Sequence, residues 1–363
     1  MDFDDLDGAI EERLAAGEEL DGAVAQLAAR REMPDSACPR PGPYKPTGYM
    51  PPIPRNRRLP GIEQLQDLVS NRLQKDKVRE TRIRVFGFYG ANDMAGAWGD
   101  LMRSAPPFME LAVHEWPAHG IRADEPPCAC LEDLAEDAYK GLKTALAQHA
   151  VGGALEGAPF ALIGHSVGCL LMTAVAARLR TALGLEPALA VALDRAAPHV
   201  AMFTQAGMDM MRSQRDEFMQ MYNNDIWRCA QSAGGERGER MLQMWVDDVR
   251  HANDTRPVGF YAFECDVLAL KALKNAQIDW TLHVENPDPE AVKMQQARAK
   301  IMASAPGSAM DFDFARFGEW ERWTVARCIV HDIDTDHMNI KSHDRSLELI
   351  YEALRNVMAP APP

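Results

Sequence analysis

The feature that most constrains this chain is the pentapeptide Gly164-His165-Ser166-Val167-Gly168. It lies between the apolar run Phe160-Ala161-Leu162-Ile163 and a helix-forming stretch from about Val167 to Leu183. A serine flanked in this way by two glycines is common by chance, and the strand before it and helix after it are what give the pattern meaning. Glycine has no Cβ, so these positions permit a sharp strand-to-helix turn with the backbones in close contact. Such a turn holds the serine at the end of a sheet, where ligands bind in open α/β folds. The following helix points its N-terminus at the same spot, so the Val167 N–H can face a developing oxyanion.

The surrounding sequence supplies the sheet. Ile83–Phe88 and Leu111–His114 read as strands before the pentapeptide, Ala188–Leu193 reads as one after it, and Leu131–Leu146 is an amphipathic helix. Apolar strands alternating with helices predict a mostly parallel sheet covered on both faces. With the serine turn, this is the α/β-hydrolase arrangement, in which serine, acid and histidine follow one another along the chain. A neutral serine hydroxyl is a weak nucleophile and needs a base. The late histidines are His283, His331, His337 and His343. Cys328–Ile333 reads as the last strand and contains His331, whereas His337 follows in the polar loop Asp334-Thr335-Asp336-His337-Met338 and is the expected base. Residues 200–275 read as helical throughout and are rich in methionine, from Met202 and Met208 to Met241 and Met244. They are expected to form a helical cap, whose methionines serve either as ordinary core or as the soft lining of a pocket.

Three segments are expected along the 363 residues. Residues 1–32 form an acidic amphipathic helical extension, with Leu6, Ile10 and Leu14 on one stripe. Residues 33–60 are a proline-rich linker. Residues 61–363 form the main domain, entered through a helix over 61–78 and carrying the cap at about 200–275. The formal net charge of −14 argues against a nucleic-acid or anionic-membrane partner. Seven scattered cysteines do not suggest a disulfide framework and point to a reducing compartment. Cys128-Ala129-Cys130 is too closely spaced for the usual zinc pair, and no metal or organic cofactor is expected. The N-terminus is acidic where a targeting peptide would be basic, and no apolar stretch reaches the length of a membrane span, so a cytoplasmic monomer is expected.

Several ordered stretches resemble the type II thioesterases that accompany polyketide and nonribosomal peptide synthases. Phe88-Tyr89-Gly90-Ala91 through Ala95 to Trp98 is similar to their first turn, F-P-x-A-G-G-x-A-x-x-F. Leu111 to Arg122 is similar to their strand ending in P-G-R-x-x-R, and Pro159–Gly168 to their P-F-A-L-F-G-H-S-M-G. Ala196-Ala197-Pro198-His199 resembles R-A-P-H, and Asp336-His337-Met338 resembles a late G-D-H-F. The family's Gly-Gly pair in the first turn stands here as Asn92-Asp93, and its Pro-Gly-Arg as Pro117-Ala118-His119.

The resemblance implies a thioester hydrolase that works through an acyl-serine on Ser166, with His337 as base. Val167 N–H and a donor near Ala91 or Asn92 would form the oxyanion hole. An acidic Asp93 would oppose charge development there if it pointed inward. The family's acid follows the penultimate strand. Ile301–Ser304 is the candidate for that strand, Asp311 the expected acid, and Asp313 and Asp288 the alternatives, with Phe314–Thr324 as the helix that follows. The implied substrates are acyl groups on an acyl carrier protein or on CoA, in polyketide, nonribosomal peptide or fatty acid biosynthesis. The fold leaves two other readings open, a carboxylesterase or lipase and a non-catalytic binding protein.

Overall fold

The computed structural model describes residues 63–65, 67–70, 82–150, 158–200, 205–222, 224–254, 261–273 and 314–358. The expected N-terminal helix and proline-rich linker lie outside them, as does the strand expected at 301–304.

Eight described strands form one sheet. In chain order they are β1 (Glu63–Leu65), β2 (Leu68–Ser70), β3 (Ile83–Phe88), β4 (Met109–His114), β5 (Phe160–His165), β6 (Leu189–Leu193), β7 (Asp266–Ala272) and β8 (Cys328–Ile333). Their order across the sheet is β1-β2-β4-β3-β5-β6-β7-β8. The six strands from β4 to β8 run parallel, and β1 and β2 add an antiparallel hairpin beside β4. Every residue of β3, β4, β5 and β6 is buried, which accounts for their unbroken apolar runs. The chain leaves β3 toward β4 on one side and returns to place β5 on the other. The carboxyl ends of β3 and β5 therefore flank the point where the winding reverses, the place where open α/β sheets leave a crevice.

The helices are α1 (Gly99–Ser104), α2 (Leu131–Ala150), α3 (Gly168–Leu183), α4 (Gln205–Ser213), α5 (Arg215–Tyr222), α6 (Asn224–Ala233), α7 (Gly235–Asp254) and α8 (Asp344–Met358). Between β6 and β7, α4–α7 form the cap. It has an interior of its own, in which Met208, Met211, Phe218, Met219 and Trp245 are buried and the Phe218 and Trp245 rings lie 6.2 Å apart. These methionines are core, as the plainer of the two readings had it.

Three expectations are corrected. The helix expected from residue 61 gives way to the β1–β2 hairpin, because Leu68, Val69 and Ser70 are buried in register with His114, Val113 and Ala112. Sheet pairing overrides local propensity there. The helical reading of 200–275 fails at Asp266–Ala272, which is β7. Its run Val267-Leu268-Ala269-Leu270 is buried on both faces, and periodicity alone cannot tell such a run from a buried helix. Among the described residues the strand before β8 is β7. Phe314–Trp323 coils as a 3₁₀ helix where a regular helix was expected.

The serine turn depends on close backbone approach. A Cβ at Gly168 would lie 2.1 Å from the Phe88 carbonyl oxygen and 2.4 Å from that of Tyr89, and one at Gly164 would lie 2.6 Å from Cys169 Cα. At Gly141, inside α2, nothing stands within 4 Å of that position. Gly168→Ala is expected to destabilise the fold by about 3 kcal/mol or more through overpacking. Gly141→Ala is expected to be neutral or stabilising by up to about 1 kcal/mol, because it relieves helix-interior glycine. Urea unfolding of the two variants checks this, and equal stability would rule out the close packing.

Candidate active site

Ser166 sits between β5 and α3 with φ 52°. A positive φ is strained for a serine, and such strain collects where a fold over-determines a functional position. Ser166 N–H donates to the Leu193 carbonyl at the end of β6 at 3.0 Å, and Cys169 N–H returns to the Ser166 carbonyl at 3.0 Å as α3 begins. The side chain is thereby held at the carboxyl edge of the sheet, against the turn after β3. A Cβ at Gly90 would come within 3.0 Å of Ser166 Cβ.

His337 lies in the loop after β8, where it was expected. Its Nδ1 is 2.6 Å from Asp194 Oδ2. A carboxylate accepts only, so Nδ1 donates its proton to Asp194 and Nε2 is the ring nitrogen left outside that contact. His165, next to the serine, donates through Nε2 to the His337 carbonyl at 2.8 Å, and the two rings lie 4.6 Å apart. Burial, together with the neighbouring His337 and Lys341, holds the His165 pKa well below the ordinary histidine value, so it stays neutral and tethers the loop without adding charge. Among the described residues no hydrogen bond joins Ser166 Oγ to His337.

The acid expected at Asp311 lies outside the described residues, as do Asp313 and Asp288. The carboxylate that reaches His337 is Asp194, in the turn directly after β6. Asp194 has φ 48°, a conformation that Asp tolerates better than most residues. Its N–H donates to the Leu270 carbonyl at 2.7 Å, and its Oδ1 accepts from Ala272 N–H at 2.9 Å. The carboxylate is thus anchored to β7 through one oxygen and presents the other to the histidine. The loop beyond it is clamped by the 3₁₀ segment. Trp320 Nε1 donates to the Arg195 carbonyl at 2.8 Å, and Trp323 Nε1 donates to His199 Nδ1 at 2.8 Å while His199 Nε2 bonds Glu319. Sequence reasoning missed Asp194 although a signal was present, a carboxylate at the carboxyl end of an apolar strand next to the serine strand.

The turn Gly90–Asp93 contains the expected oxyanion donor Ala91. Asp93 N–H donates to the Gly90 carbonyl at 3.3 Å, and Asn92 adopts φ 55°. Asn is the residue after glycine best suited to that conformation in a tight turn. Asp93 does not face the serine as a bare charge. Its Oδ2 is 2.9 Å from Lys341 Nζ, with Lys341 buried and Asp93 partly so, and this ion pair ties the turn to the histidine loop. Glu115 braces the turn from below, accepting from Tyr89 O–H at 2.9 Å and from Ala95 N–H at 3.1 Å. Burial raises the pKa values of both Glu115 and Tyr89. Among the described residues the N–H groups of Ala91 and Val167 form no hydrogen bond, which leaves both available to a ligand. Asn92 N–H, by contrast, is engaged by Asp248 of α7 at 2.7 Å.

Beside this turn is a cavity of about 50 Å³ between α7 and the loop after β4, lined by Trp116, His119, Arg240, Met244, Asp248 and His251 among others. Among the described residues no group of three or more His, Cys, Asp or Glu could hold a metal ion, and no helix is long and apolar enough to cross a membrane.

The sheet order, the serine turn and the Asp194–His337 pair define an α/β-hydrolase fold. The chain belongs to the thioesterase family, whose model, a thioesterase domain, matches residues 84–356. No curated protein matches it. Among solved structures it is similar to the RedJ thioesterase of the prodiginine pathway in Streptomyces coelicolor, with TM-score 0.53 and 19% identity over 76% of this chain and 86% of that one. It is also similar to the type II thioesterase BorB of the borrelidin cluster, with TM-score 0.52 and 17% identity over 76% of this chain and 94% of that one. ClbQ of the colibactin pathway gives TM-score 0.52 and 13% identity, over 76% and 98%. At these identities the likeness concerns the fold.

His119 offers a pH test. Its Nε2 is 3.1 Å from Asp248 Oδ2 and its Nδ1 is 3.0 Å from the Pro117 carbonyl. Both neighbours are acceptors, so the ring is doubly protonated. Burial opposes the charge, but Asp248 and the Pro117 carbonyl outweigh it and raise the pKa above 6.5. A histidine whose folded pKa is raised contributes stability that is fully present below its unfolded pKa and is lost as pH rises through the folded value. The stability lost in His119→Gln is therefore expected to be larger at about pH 6 than at about pH 9. Denaturant unfolding at both pH values checks this, and a difference that grows with pH contradicts the imidazolium.

Proposed function

We propose that this chain hydrolyses acyl thioesters through an acyl-serine intermediate, with Ser166 as nucleophile, His337 as general base and Asp194 as the acid that orients it. The observation that carries the reading is the meeting of a strained serine turn with a 2.6 Å Asp194–His337 hydrogen bond at one edge of the sheet. Ser166 Oγ attacks the thioester carbonyl carbon as its proton passes to His337 Nε2. The N–H groups of Val167 and Ala91 hold the oxyanion. The C–S bond then breaks, and His337 returns the proton to the leaving thiol. Water, deprotonated by His337, attacks the acyl-serine and releases the acid. Asp194 keeps the proton on Nδ1 and stabilises the imidazolium.

The substrate is an acyl group on the phosphopantetheine arm of a carrier protein, or on CoA, and the biological role is to clear or release chains in polyketide or nonribosomal peptide assembly. Family membership and the fold shared with RedJ, BorB and ClbQ support this. A non-catalytic role was suggested by the acidic Asp93 in the turn after β3. Its ion pair with Lys341 supports the catalytic reading.

Turnover of acyl-N-acetylcysteamine and acyl-carrier thioesters tests the reading. Ser166→Ala and His337→Ala are each expected to lower kcat by at least about 10³-fold. Asp194→Asn is expected to lower it by roughly 10³–10⁴-fold, because the wrong tautomer is then favoured. Asp311→Ala should leave it near wild type, and the opposite pattern for the two aspartates would return the acid to Asp311. Matched oxygen esters are expected to react more slowly than thioesters, and a preference for the oxygen esters would favour a carboxylesterase.

A further inference from the structure

The turn after β3 carries Asn92 and Asp93, and one of its N–H groups is held from a distant helix. Asn92 N–H donates to Asp248 Oδ2 at 2.7 Å. Asp248 is buried on the inner face of α7 in the cap, beside Trp245 and Val249. The same oxygen accepts from His119 Nε2 at 3.1 Å, and His119 is fixed through Nδ1 to the Pro117 carbonyl at 3.0 Å. A buried carboxylate persists only when paired and hydrogen-bonded, and the His119 imidazolium and the Asn92 N–H meet that need together. The Asn92 N–H belongs to the peptide at the centre of the turn. Left-handed φ at Asn92 requires that peptide to be flipped relative to the commoner turn, in which the third residue has negative φ. An acceptor aimed at this N–H favours the flipped state and anchors the turn to α7, and that turn carries Ala91 between Asn92 and Gly90, which is packed against Ser166.

We propose that Asp248 is a positioning residue for the reaction: seated by His119, it locks the Asn92 peptide from the cap and so sets the oxyanion donor Ala91. Oxyanion geometry then depends on the contact between α7 and this turn. The inference rests on the serine thioesterase reading, and its test separates the two. An interaction that shapes the oxyanion site only lowers the barrier, so its loss appears in kcat with KM little changed.

The experiment measures kcat and KM on an acyl-N-acetylcysteamine thioester, with melting temperature alongside, for wild type, Asp248→Ala, Asp248→Asn, His119→Ala and Ser166→Ala. Asp248→Ala is expected to lower kcat by about 10–100-fold, the size of effect that follows a small misplacement of a reacting group, with KM within about 3-fold of wild type. Asp248→Asn is expected to recover most of the activity, since its amide oxygen in the place of Oδ2 still accepts from both Asn92 N–H and His119 Nε2–H. His119→Ala, which removes the partner that seats the carboxylate, is expected to reduce kcat in the same direction and serves as the second variant should Asp248→Ala not fold. Unchanged kcat in folded Asp248→Ala, a rise in KM alone, or equal losses in the Ala and Asn variants would each overturn the proposal. Full turnover by Ser166→Ala would instead overturn the serine reading on which it rests, whatever the Asp248 variants do.

Discussion

Everything at the active edge of this molecule depends on one backbone contact, the approach of α3 to the end of β3. Gly168 lies so close to the Phe88 and Tyr89 carbonyls that no other residue fits. That approach forces the chain to leave β5 and enter α3 within two residues, Ser166 and Val167, and Ser166 takes the strain as φ 52°. The strain is not relieved locally. It is held by the Leu193 carbonyl of β6 on one side and by the first turn of α3 on the other. Close-packed interiors transmit such constraints rather than absorb them. The serine is therefore aimed by the sheet, and the loops after β3, β6 and β8 are brought to it because those strands end at the same edge.

What holds these loops is a set of buried polar contacts, each pairing a group with a partner from another element. Asp194 spans β6 and β7 before it meets His337. Asp93 and Lys341 join the turn after β3 to the loop after β8. Glu115 braces the ends of that same turn. Buried ionic groups add little net stability, since desolvation offsets much of the attraction, but an unpaired one is strongly destabilising. The consequence is geometric: the fold tolerates only the arrangement in which all partners are present, and that arrangement is the one that assembles the site.

Local chemistry made part of this legible in the sequence. The glycine pattern around Ser166 and the apolar runs of β3 to β6 and β8 follow from sterics and burial that act within a few residues. The loop that carries His337 was legible because a polar stretch after a strand is a short-range feature. Asp194 was passed over because the resemblance placed the acid after the penultimate strand and so pointed downstream to Asp311, whereas the carboxylate bonded to His337 follows β6, two strands before β8. A run such as Val267-Leu268-Ala269-Leu270 carries no periodicity, and only its pairing with Ala190–Leu193 of β6 identifies it as a strand. Asp248 and Lys341 had no short-range signal either, because their partners lie far away along the chain. A carboxylate among Trp245, Val246 and Val249 on an amphipathic helix was the one clue that something buried awaited it.

The Asn92-Asp93 pair shows how a local rule can be replaced by tertiary contacts. Glycines in such a turn supply positive φ without steric cost, and the turn then holds its shape independently of its surroundings. Asn and Asp give up that independence. In exchange, each brings a group that other elements can hold: the Asn92 N–H by Asp248 of the cap, and the Asp93 carboxylate by Lys341 of the histidine loop. A glycine turn would be formed whether or not the cap and the last loop had arrived. This turn reaches its observed shape when both are in place, so the β3 edge of the site is completed by parts of the chain that fold around it rather than by its own sequence.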